Sequence, residues 1–201
     1  MVPALTIGWL DAEVPVTTTE PVDLDRALVT RAQGGDREAF EQLVRRHQRG
    51  VWHLARRYLR ADADASDVTQ LAFVRAYRAL DGFRGDASVR SWLYRIAINL
   101  ALNHLRDRAR EQPAEIADDA LVTGATGTSR LEDAERAAAL RAAIAALPPR
   151  QKQVLELRIH DELSFREVAA VCDCTENAAK VNFHLAVKRL RTLLGTDPVT
   201  P

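Results

Sequence analysis

The spacing of apolar residues constrains the fold more than any other feature, because they recur every three or four positions along most of the chain. This spacing puts them on one face of an α-helix, whereas a half-buried strand alternates apolar and polar residues. Alternation of period two does not persist anywhere in the 201 residues. The pattern therefore predicts an all-α protein, with helices at about 36–60, 64–80, 89–110, 132–146, 150–159, 164–171 and 175–194.

Two segments lack this periodicity and divide the chain. Residues 1–25 carry proline, threonine and acidic residues, which predicts a disordered acidic leader. Residues 112–134 combine Pro113, several glycine–threonine steps and acidic residues, which predicts a flexible acidic linker. We therefore expect two small helical domains, at 26–111 and 135–195, followed by a short tail at 196–201.

The formal net charge is zero, but the charges are segregated along the chain. Residues 26–112 hold 17 Lys and Arg against 10 Asp and Glu, and residues 136–195 hold ten basic against six acidic residues. Residues 1–25 and 113–135 are net acidic. Two basic modules separated by an acidic connector favour contact with a polyanion, although composition alone also permits a random scatter of surface charge.

Composition excludes several classes of protein. Hydrophobic residues make up 47% of the chain, which is enough for a folded core. The two cysteines, Cys172 and Cys174, exclude a disulfide framework. No apolar run approaches the roughly 20 residues of a membrane span, and the first 25 residues lack the basic start of a secretory signal. We therefore expect a cytoplasmic protein without membrane insertion.

The second domain contains the pattern of a helix-turn-helix. Ser164 and Glu167 form the S-x-x-E signature of a capping box, which begins a short helix. Residues 172–174 form the predicted turn, and Ala169 supplies the small residue needed where the two helices touch. Asp173 stands where a turn glycine is usual, and aspartate tolerates the left-handed backbone conformation better than most residues.

The last predicted helix, which Thr175 caps, has two distinct faces. The apolar face suits a core and comprises Ala179, Phe183, Ala186, Leu190 and Leu193. The opposite face comprises Asn177, Lys180, His184, Lys188 and Arg191, with Val181 beside them. Asparagine can hydrogen-bond base edges, lysine and arginine can hold phosphates, and valine can contact a thymine methyl. The pattern favours binding of this face to duplex DNA. The alternative is that the face is only solvated and that the helix belongs to a protein-binding bundle.

The predicted helix at 89–110 is apolar around most of its circumference but keeps one polar stripe. Steps of three and four residues align Trp92, Arg95, Asn99, Asn103, Arg106 and Arg110. Aromatic rings stack on bases, arginine neutralises phosphate and asparagine hydrogen-bonds base edges, so the stripe predicts a platform for unstacked bases. The alternative is that Trp92 belongs to the core and the arginines only solubilise. For Tyr94 we favour a core position.

Neither a metal centre nor an active site is predicted. The spacing of Cys172 and Cys174 with His160 or His184 does not match a zinc site, and both cysteines occupy positions that suit small apolar groups. A redox switch is a weaker alternative, because no feature that would activate a thiol is visible. The sequence contains no nucleophile–base pattern, Gly-rich phosphate loop or HExxH motif. We expect no catalysis, no cofactor and no metal.

Two longer runs resemble the extracytoplasmic-function sigma factors of bacterial RNA polymerase, which belong to the sigma-70 superfamily. Residues 64–108 resemble their second conserved region through the D-V-T-Q signature, the F-R-G-D turn and the W-L-Y-R-I-A-x-N helix, in that order. Residues 147–191 resemble their fourth region. The resemblance covers about residues 26–110 and 135–194. It implies a non-catalytic subunit that binds core polymerase and directs promoter recognition, DNA melting and transcription initiation.

The resemblance also implies roles for individual residues. Contacts to the clamp helices of the polymerase beta-prime subunit fall on Asp67, Gln70, Phe73 and Arg75. The residues that the resemblance implies for melting and recognising the minus-ten element are Phe83, Arg84, Trp92, Arg95, Asn99, Asn103 and Arg106. Recognition of the minus-thirty-five element falls on Asn177, Lys180, Val181, His184, Lys188 and Arg191. The second domain also rests on the beta-subunit flap in this family, and an anti-sigma protein commonly holds such factors inactive.

The chain departs from the family pattern in three places. Leu71 and Ala72 follow the D-V-T-Q signature where the family often has Glu and Val, and Asp173 replaces the turn glycine. The reading helix often carries several arginines where this chain has Asn182, Leu185 and Val187. We therefore predict an unusual minus-thirty-five preference or a weaker reliance on that element.

Two other functions are compatible with parts of this pattern. A helix-turn-helix regulator of another class would bind only duplex DNA, usually as a dimer, and use the first domain for dimerisation or ligand binding. A protein-interaction bundle would show no salt-dependent affinity for DNA. Binding of the first domain to core polymerase and to melted DNA discriminates a sigma factor from both.

Overall fold

The computed structural model describes residues 20–59, 61–111 and 131–195. Within these ranges the chain forms eight α-helices, one 3-10 turn and no strand, which confirms the all-α prediction. The α-helices are α1 (Glu20–Gln33), α2 (Arg37–Tyr58), α3 (Asp62–Arg78), α4 (Val89–Glu111), α5 (Leu131–Ala145), α6 (Pro149–Ile159), α7 (Phe165–Cys172) and α8 (Glu176–Leu193). The predicted helices correspond to α2–α8, with small differences at their ends.

Helix α1 is the element that the sequence pattern did not predict. The disordered leader proposed for residues 1–25 is wrong for residues 20–25, which form the first turns of α1; residues 1–19 lie outside the described residues. The buried positions of α1 recur at helical spacing and comprise Asp25, Leu28, Val29 and Ala32. Asp25 accepts hydrogen bonds from Arg46 Nε at 2.8 Å and from His47 Nε2 at 2.7 Å, both on α2. Contacts with α2 therefore order a segment whose composition suggested disorder.

The predicted linker at 112–134 also differs from the structure at one end. Residues 131–134 belong to the first turn of α5, whereas residues 112–130 lie outside the described residues. Acidic residues stabilise a helix at its N-terminus, so the acids just before the Ala-rich stretch are compatible with helix as well as with linker.

Helices α1–α4 pack as one bundle around α2 and α4. Helix α2 contacts α1, α3 and α4, and the fully buried Val51, Leu54 and Ala55 form its inward face. Alanines with no exposed surface, such as Ala72 of α3 and Ala97 of α4, lie where helices approach closely. This bundle holds one long face of α4 fixed and leaves a strip of it outside.

Helices α5–α8 form the second helical group. Helix α6 begins with Pro149 at its first position, where a proline ring is preorganised for helix, and packs on α7 and α8. Its Val154 and Leu157 are buried together with Leu163 and Val168. Helix α5 contacts α8. The group presents α8 with one face on the core and one face outward.

The two groups are in contact, because α7 packs against α4. Buried residues of α6 and α7, such as Leu157 and Val168, belong to the same continuous core as Leu93 and Ile98 of α4. The sequence left the relative placement of the two domains open. The structure brings the helix-turn-helix onto the helix that carries the polar stripe.

Candidate nucleic-acid interface

The helix-turn-helix forms as predicted. Ser164 Oγ accepts a hydrogen bond from the Glu167 backbone N–H at 3.2 Å, and Glu167 Oε2 accepts one from the Ser164 backbone N–H at 2.9 Å. Both halves of the capping box are therefore present. Asp173 adopts φ 52° and ψ 56°, the left-handed conformation that a turn glycine usually supplies. Thr175 Oγ1 accepts a hydrogen bond from the Ala178 backbone N–H at 3.1 Å, which begins α8.

Helix α8 presents its predicted polar face outward. The exposed members of that face are Asn177, Lys180, Val181, His184 and Lys188, whereas Arg191 is half-buried. On the apolar face Ala179 and Ala186 are buried, and Phe183 packs edge-on against Phe165 with ring centroids 5.5 Å apart. Leu193, the last residue of α8, is 50% exposed, so its predicted place on the core side of the helix is wrong.

The polar stripe of α4 is divided between surface and core. Arg95, Asn99, Asn103 and Arg106 are exposed, and we call these four residues the α4 strip. Asn103 Oδ1 accepts a hydrogen bond from Arg106 Nη1 at 3.0 Å, which orients both side chains. The amides of the strip are therefore compatible with a largely apolar helix, since they lie outside the core.

Trp92 lies outside the α4 strip, although it shares the spacing. Its side chain is 9% exposed and packs on Phe83, with ring centroids 4.7 Å apart and an angle of 36° between the planes. Its ring does not present a free face for a base in this conformation. Tyr94 is 2% exposed, so its predicted core position is confirmed. Arg84, in the turn before α4, is exposed.

A third surface lies on α3, where the family resemblance implied polymerase contacts. Asp67, Gln70 and Arg75 are exposed, but Phe73 is 7% exposed and belongs to the core. Gln70 and Phe73 line a depression of about 900 Å³ between α2 and α3, which we call the α3 groove. Its apolar walls include Phe40, Val44, Trp52, Val74 and Tyr77, and its rim includes Arg37, Arg49 and Arg78.

Sequence reasoning missed the exposed apolar residues of α3. Leu71, Val74 and Tyr77 are each more than 40% exposed, an unusual cluster of large hydrophobic side chains on one helix. They recur at steps of three, and Val74 in the middle lies across the helix from the buried Ala72 and Ala76. The sequence did contain a signal for this surface, namely a second apolar stripe on the same helix. A helix that packs on one side needs only one apolar stripe, so a second stripe indicates another contact surface.

The two cysteines of the helix-turn-helix differ in burial. Cys172 is buried, and burial raises the pKa of its thiol to about 12, partly offset by the charge of Arg150. Such a thiol is a poor nucleophile at neutral pH. Cys174 is half-buried, and both cysteines are unpaired thiols. Among the described residues no group of three His, Cys, Asp or Glu side chains could hold a metal ion.

The described helices also bear on membrane insertion. None of them is both long and apolar enough to cross a bilayer.

Comparison with known proteins identifies both helical groups. The family model for Sigma-70 region 2 matches residues 43–111, and the model for Sigma-70, region 4, matches residues 137–190. The first match covers most of the α3 groove and all of the α4 strip, and the second covers the helix-turn-helix.

Curated relatives match across both regions. The RNA polymerase sigma-H factor of Pseudomonas aeruginosa is 40% identical over 160 residues, which cover 75% of this chain and 83% of that protein. The ECF RNA polymerase sigma-E factor of Escherichia coli K12 is 38% identical over the same shares of both chains.

Solved structures match the arrangement of helices. The structure of CnrH in complex with the cytosolic domain of CnrY is similar with a TM-score of 0.62 and 30% identity, and covers 88% of this chain and all of that one. The sigma factor RpoE of Bartonella quintana, solved with the anti-sigma factor NepR, shares the fold with a TM-score of 0.61 at 23% identity, over 79% of this chain and 98% of that one. With region 2, region 4 and full-length relatives in agreement, the chain belongs to the extracytoplasmic-function group of the sigma-70 family, the subunits that direct RNA polymerase to promoters.

Proposed function

We propose that three separate surfaces of this sigma factor divide the work of initiation: the α3 groove binds core polymerase, the α4 strip takes the minus-ten element, and the outer face of α8 takes the minus-thirty-five element. The observation that carries this assignment is the segregation of exposed groups. Helix α3 exposes large apolar residues beside a depression, and α4 exposes amides and arginines without a large apolar residue. Helix α8 exposes lysines, Asn177 and His184 together with Val181 and Leu185. The first domain therefore carries a protein-binding and a DNA-binding surface, which a duplex-only regulator would not need.

The α3 groove has the chemistry of a protein-docking site. Clusters of exposed apolar side chains next to a depression favour burial against another protein, since burial removes apolar surface from water. Val74 and Tyr77 line the groove and would supply its apolar surface, and Gln70 would add a polar contact there. We propose that Asp67, Leu71 and Arg75, which are exposed elsewhere on the same helix, extend the contact beyond the groove. We assign Phe73 an indirect part, because its ring supports the floor of the groove from the core.

The α4 strip has the chemistry to hold a separated strand. Arg95 and Arg106 can neutralise phosphates, and Asn99 and Asn103 can hydrogen-bond the edges of unpaired bases. Phe83 and Trp92 form a tilted aromatic pair next to the strip. We propose that this pair supports the junction of duplex and melted DNA and that Arg84 contacts the backbone there.

Helix α8 is proposed to lie in the major groove of duplex DNA. Asn177, near the helix N-terminus, and His184 can bond base edges, while Lys180, Lys188 and Arg191 can contact phosphates. Val181 and Leu185 are each nearly half exposed and can contact thymine methyl groups. Asn182 is turned back, since its Nδ2 donates to the Ala178 carbonyl at 2.8 Å. We therefore keep the prediction of an unusual minus-thirty-five preference, which selection of bound duplexes from a random pool would test.

The proposal includes a protein partner, no catalysis of its own and a place in the cytoplasm. A factor that acts with polymerase on promoter DNA works where the chromosome lies. CnrH was solved with the cytosolic domain of CnrY, and RpoE of Bartonella quintana was solved with the anti-sigma factor NepR. By these likenesses we propose that an anti-sigma protein binds this chain as well.

Reconstituted transcription tests the assignment of the α3 groove. Purified core polymerase is assayed on a genomic promoter library at fixed salt, with and without the chain. Val74→Asp is expected to weaken core binding and abolish promoter-specific transcripts, because it puts a charge on an exposed wall of the groove. Leu24→Asp, on α1 and outside the groove, is the matched control, since Leu24 is 48% exposed and Val74 is 41% exposed. Equal transcription by the two variants would refute the assignment.

Two further variants separate the DNA surfaces. Asn99→Ala is expected to reduce open-complex formation while core binding is retained. Lys188→Ala is expected to weaken duplex binding to all sequences alike and to reduce the salt dependence by about one unit of slope. If Asn99→Ala instead weakens only duplex binding, the α4 strip does not take the melted strand.

A further inference from the structure

The α3 groove combines an apolar interior with a basic rim. Arg37, Arg49 and Arg78 line it and are exposed, and the ion pairs of the described residues involve none of the three. Glu41 is the acidic residue of the lining, and its Oε2 lies 3.5 Å from Arg45 Nη2. An occupant that matches this groove is therefore apolar and carries acidic groups at its edge.

The chain carries a segment of this chemistry ahead of α1. Residues 1–19 contain no Lys or Arg, and residues 5–13, which we call the leader segment, read LTIGWLDAE. Its large apolar side chains are Leu5, Ile7, Trp9 and Leu10, and its acidic ones are Asp11 and Glu13. None of the three surfaces assigned under the proposed function uses this segment.

Aromatic side chains single out Trp9 within the leader segment. Trp9 is the largest side chain of the segment, and the groove already contains the rings of Phe40, Trp52 and Tyr77. The rings of Phe40 and Tyr77 pack edge-on, with centroids 4.9 Å apart. Aromatic rings bury large apolar areas and pair favourably with one another, so an indole ring suits this wall.

The described chain begins close to one end of the groove. Helices α1 and α2 are joined by a short turn, and Asp25 of α1 pairs with Arg46 of α2, so the two helices run antiparallel. With the same rise per residue in both helices, Glu20 at the start of α1 lies about five residues beyond Arg46 along α2. This position is close to Trp52, which lines the α3 groove.

The chain is long enough to lead from α1 into the groove. A helix with its side chains is about 10–12 Å across, so half of its circumference is about 17 Å. Residues 14–19, which connect the leader segment to α1, span up to about 20 Å when extended. By helical spacing, the exposed Arg45 and Arg49 lie on the face of α2 between its α1 side and its groove side. The acidic residues of the leader segment would therefore pass close to positive charge.

Weak docking is sufficient, because the leader segment belongs to the same chain as the groove. A short linker between two binding elements gives an effective concentration of about millimolar. A segment that binds as a free peptide with an affinity in this range would occupy the groove for a large fraction of the time.

We propose that the leader segment binds in the α3 groove of its own chain, with the Trp9 ring against the aromatic wall, and competes there with core polymerase. The competition rests on the assignment of the groove under the proposed function, whereas the docking does not. Core polymerase then binds the fraction of chains whose groove is free, and its affinity is reduced by that fraction.

Photo-crosslinking of the intact chain tests the docking. Trp9 is replaced by p-benzoylphenylalanine, and the same replacement at Val16 is the matched control within the connection to α1. We expect position 9 to crosslink to residues 69–78 of α3, in a product with the mass of one chain, and position 16 not to reach them. Val74→Asp should reduce these crosslinks because it puts a charge on the groove wall, and Leu24→Asp should leave them unchanged.

Binding to core polymerase tests the competition. Labelled core polymerase is titrated with each variant at fixed salt. We expect Trp9→Ala to bind about threefold more tightly than the wild-type chain, as follows if the leader segment occupies the groove for about two-thirds of the time. Val16→Ala, the matched control, should bind like the wild-type chain.

The possible failures are distinguishable. The docking is overturned if position 9 crosslinks to α3 no more often than position 16, or if the product has the mass of two chains. The competition is overturned if crosslinks form in the groove but Trp9→Ala binds core polymerase no more tightly than Val16→Ala. The proposed function fails separately, in the transcription assay, if Val74→Asp is as active as Leu24→Asp. That result together with crosslinks in the groove would keep the docking and reject the polymerase assignment.

Discussion

Gly50 provides a sharp test of how α2 and α4 pack. It lies in the middle of α2, and a Cβ atom added there would lie 2.9 Å from the Tyr94 hydroxyl oxygen. Tyr94 is 2% exposed, and its hydroxyl accepts a hydrogen bond from Arg90 Nε at 3.3 Å, so the ring has little room to retreat. Gly50→Ala therefore sets helix propensity against a steric clash.

The two effects have comparable size and opposite sign. Alanine is favoured over glycine in a helix interior by about 1 kcal/mol. Forcing extra atoms into a packed core costs about 1–3 kcal/mol. We expect Gly50→Ala to destabilise the protein by about 1 kcal/mol in the wild-type background, since the clash exceeds the gain in propensity.

Removing the hydroxyl should reverse the sign. In Tyr94→Phe, the nearest remaining atoms to the added Cβ are ring carbons at 3.8 Å, which is ordinary van der Waals contact. Gly50→Ala should then stabilise the protein by about 1 kcal/mol, which gives a coupling of about 2 kcal/mol between the two positions.

A double-mutant cycle measures this coupling. Urea unfolding followed by circular dichroism gives the free energy of unfolding of all four proteins, and melting temperatures should move in opposite directions by about 3 °C in the two backgrounds. The reasoning is refuted if Gly50→Ala changes stability by the same amount with and without the hydroxyl, because the close approach to Tyr94 would then carry no energy.

Three further predictions concern stability. Asp173 has φ 52°, so Asp173→Gly should raise the melting temperature relative to Asp173→Ala by an amount equivalent to about 1 kcal/mol; equal values would contradict the left-handed turn. Burial raises the pKa of Asp25, but the hydrogen bonds and charges of His47 and Arg46 outweigh burial, and the pKa is lowered overall. The ionised carboxylate therefore stabilises the folded state above about pH 4, and this contribution is lost as the pH falls through the folded-state pKa. Asp25→Asn should therefore flatten the acid limb of the stability profile. Burial raises the pKa of Glu156, so the native state gains stability as the pH falls from neutral. Glu156→Gln should increase the free energy of unfolding near pH 7, because it removes a buried charge. A decrease would show that the charge of Glu156 is needed.

Local chemistry made several elements predictable from the sequence. A capping box needs only residues three positions apart, so Ser164 and Glu167 fixed the start of α7 without knowledge of the rest of the chain. The left-handed turn at Asp173 and the cap at Thr175 follow from the same kind of short-range rule. The exposed face of α8 was predictable because a helix packed on one side separates apolar from polar residues along its length.

The burial of aromatic residues in region 2 was decided by tertiary packing. Trp92 shares the spacing of the α4 strip, yet it is covered because the turn before α4 brings Phe83 onto it. Phe73 occupies the core because α2 lies over that side of α3, while Leu71 and Val74 remain outside. A helix that is apolar around most of its circumference does not reveal which side a neighbour will cover.

The sequence by itself determined the class of the fold, the helix-turn-helix and the membership of a family, because caps, turns and periodicity act over a few residues. Tertiary structure alone decided that residues 20–25 join α1 and that region 4 lies on α4. Both depend on partners far away in the chain: Asp25 pairs with Arg46 and His47, and Arg57 pairs with Asp161. Long-range ion pairs leave no periodic signature, since each partner separately looks like an ordinary charged surface residue.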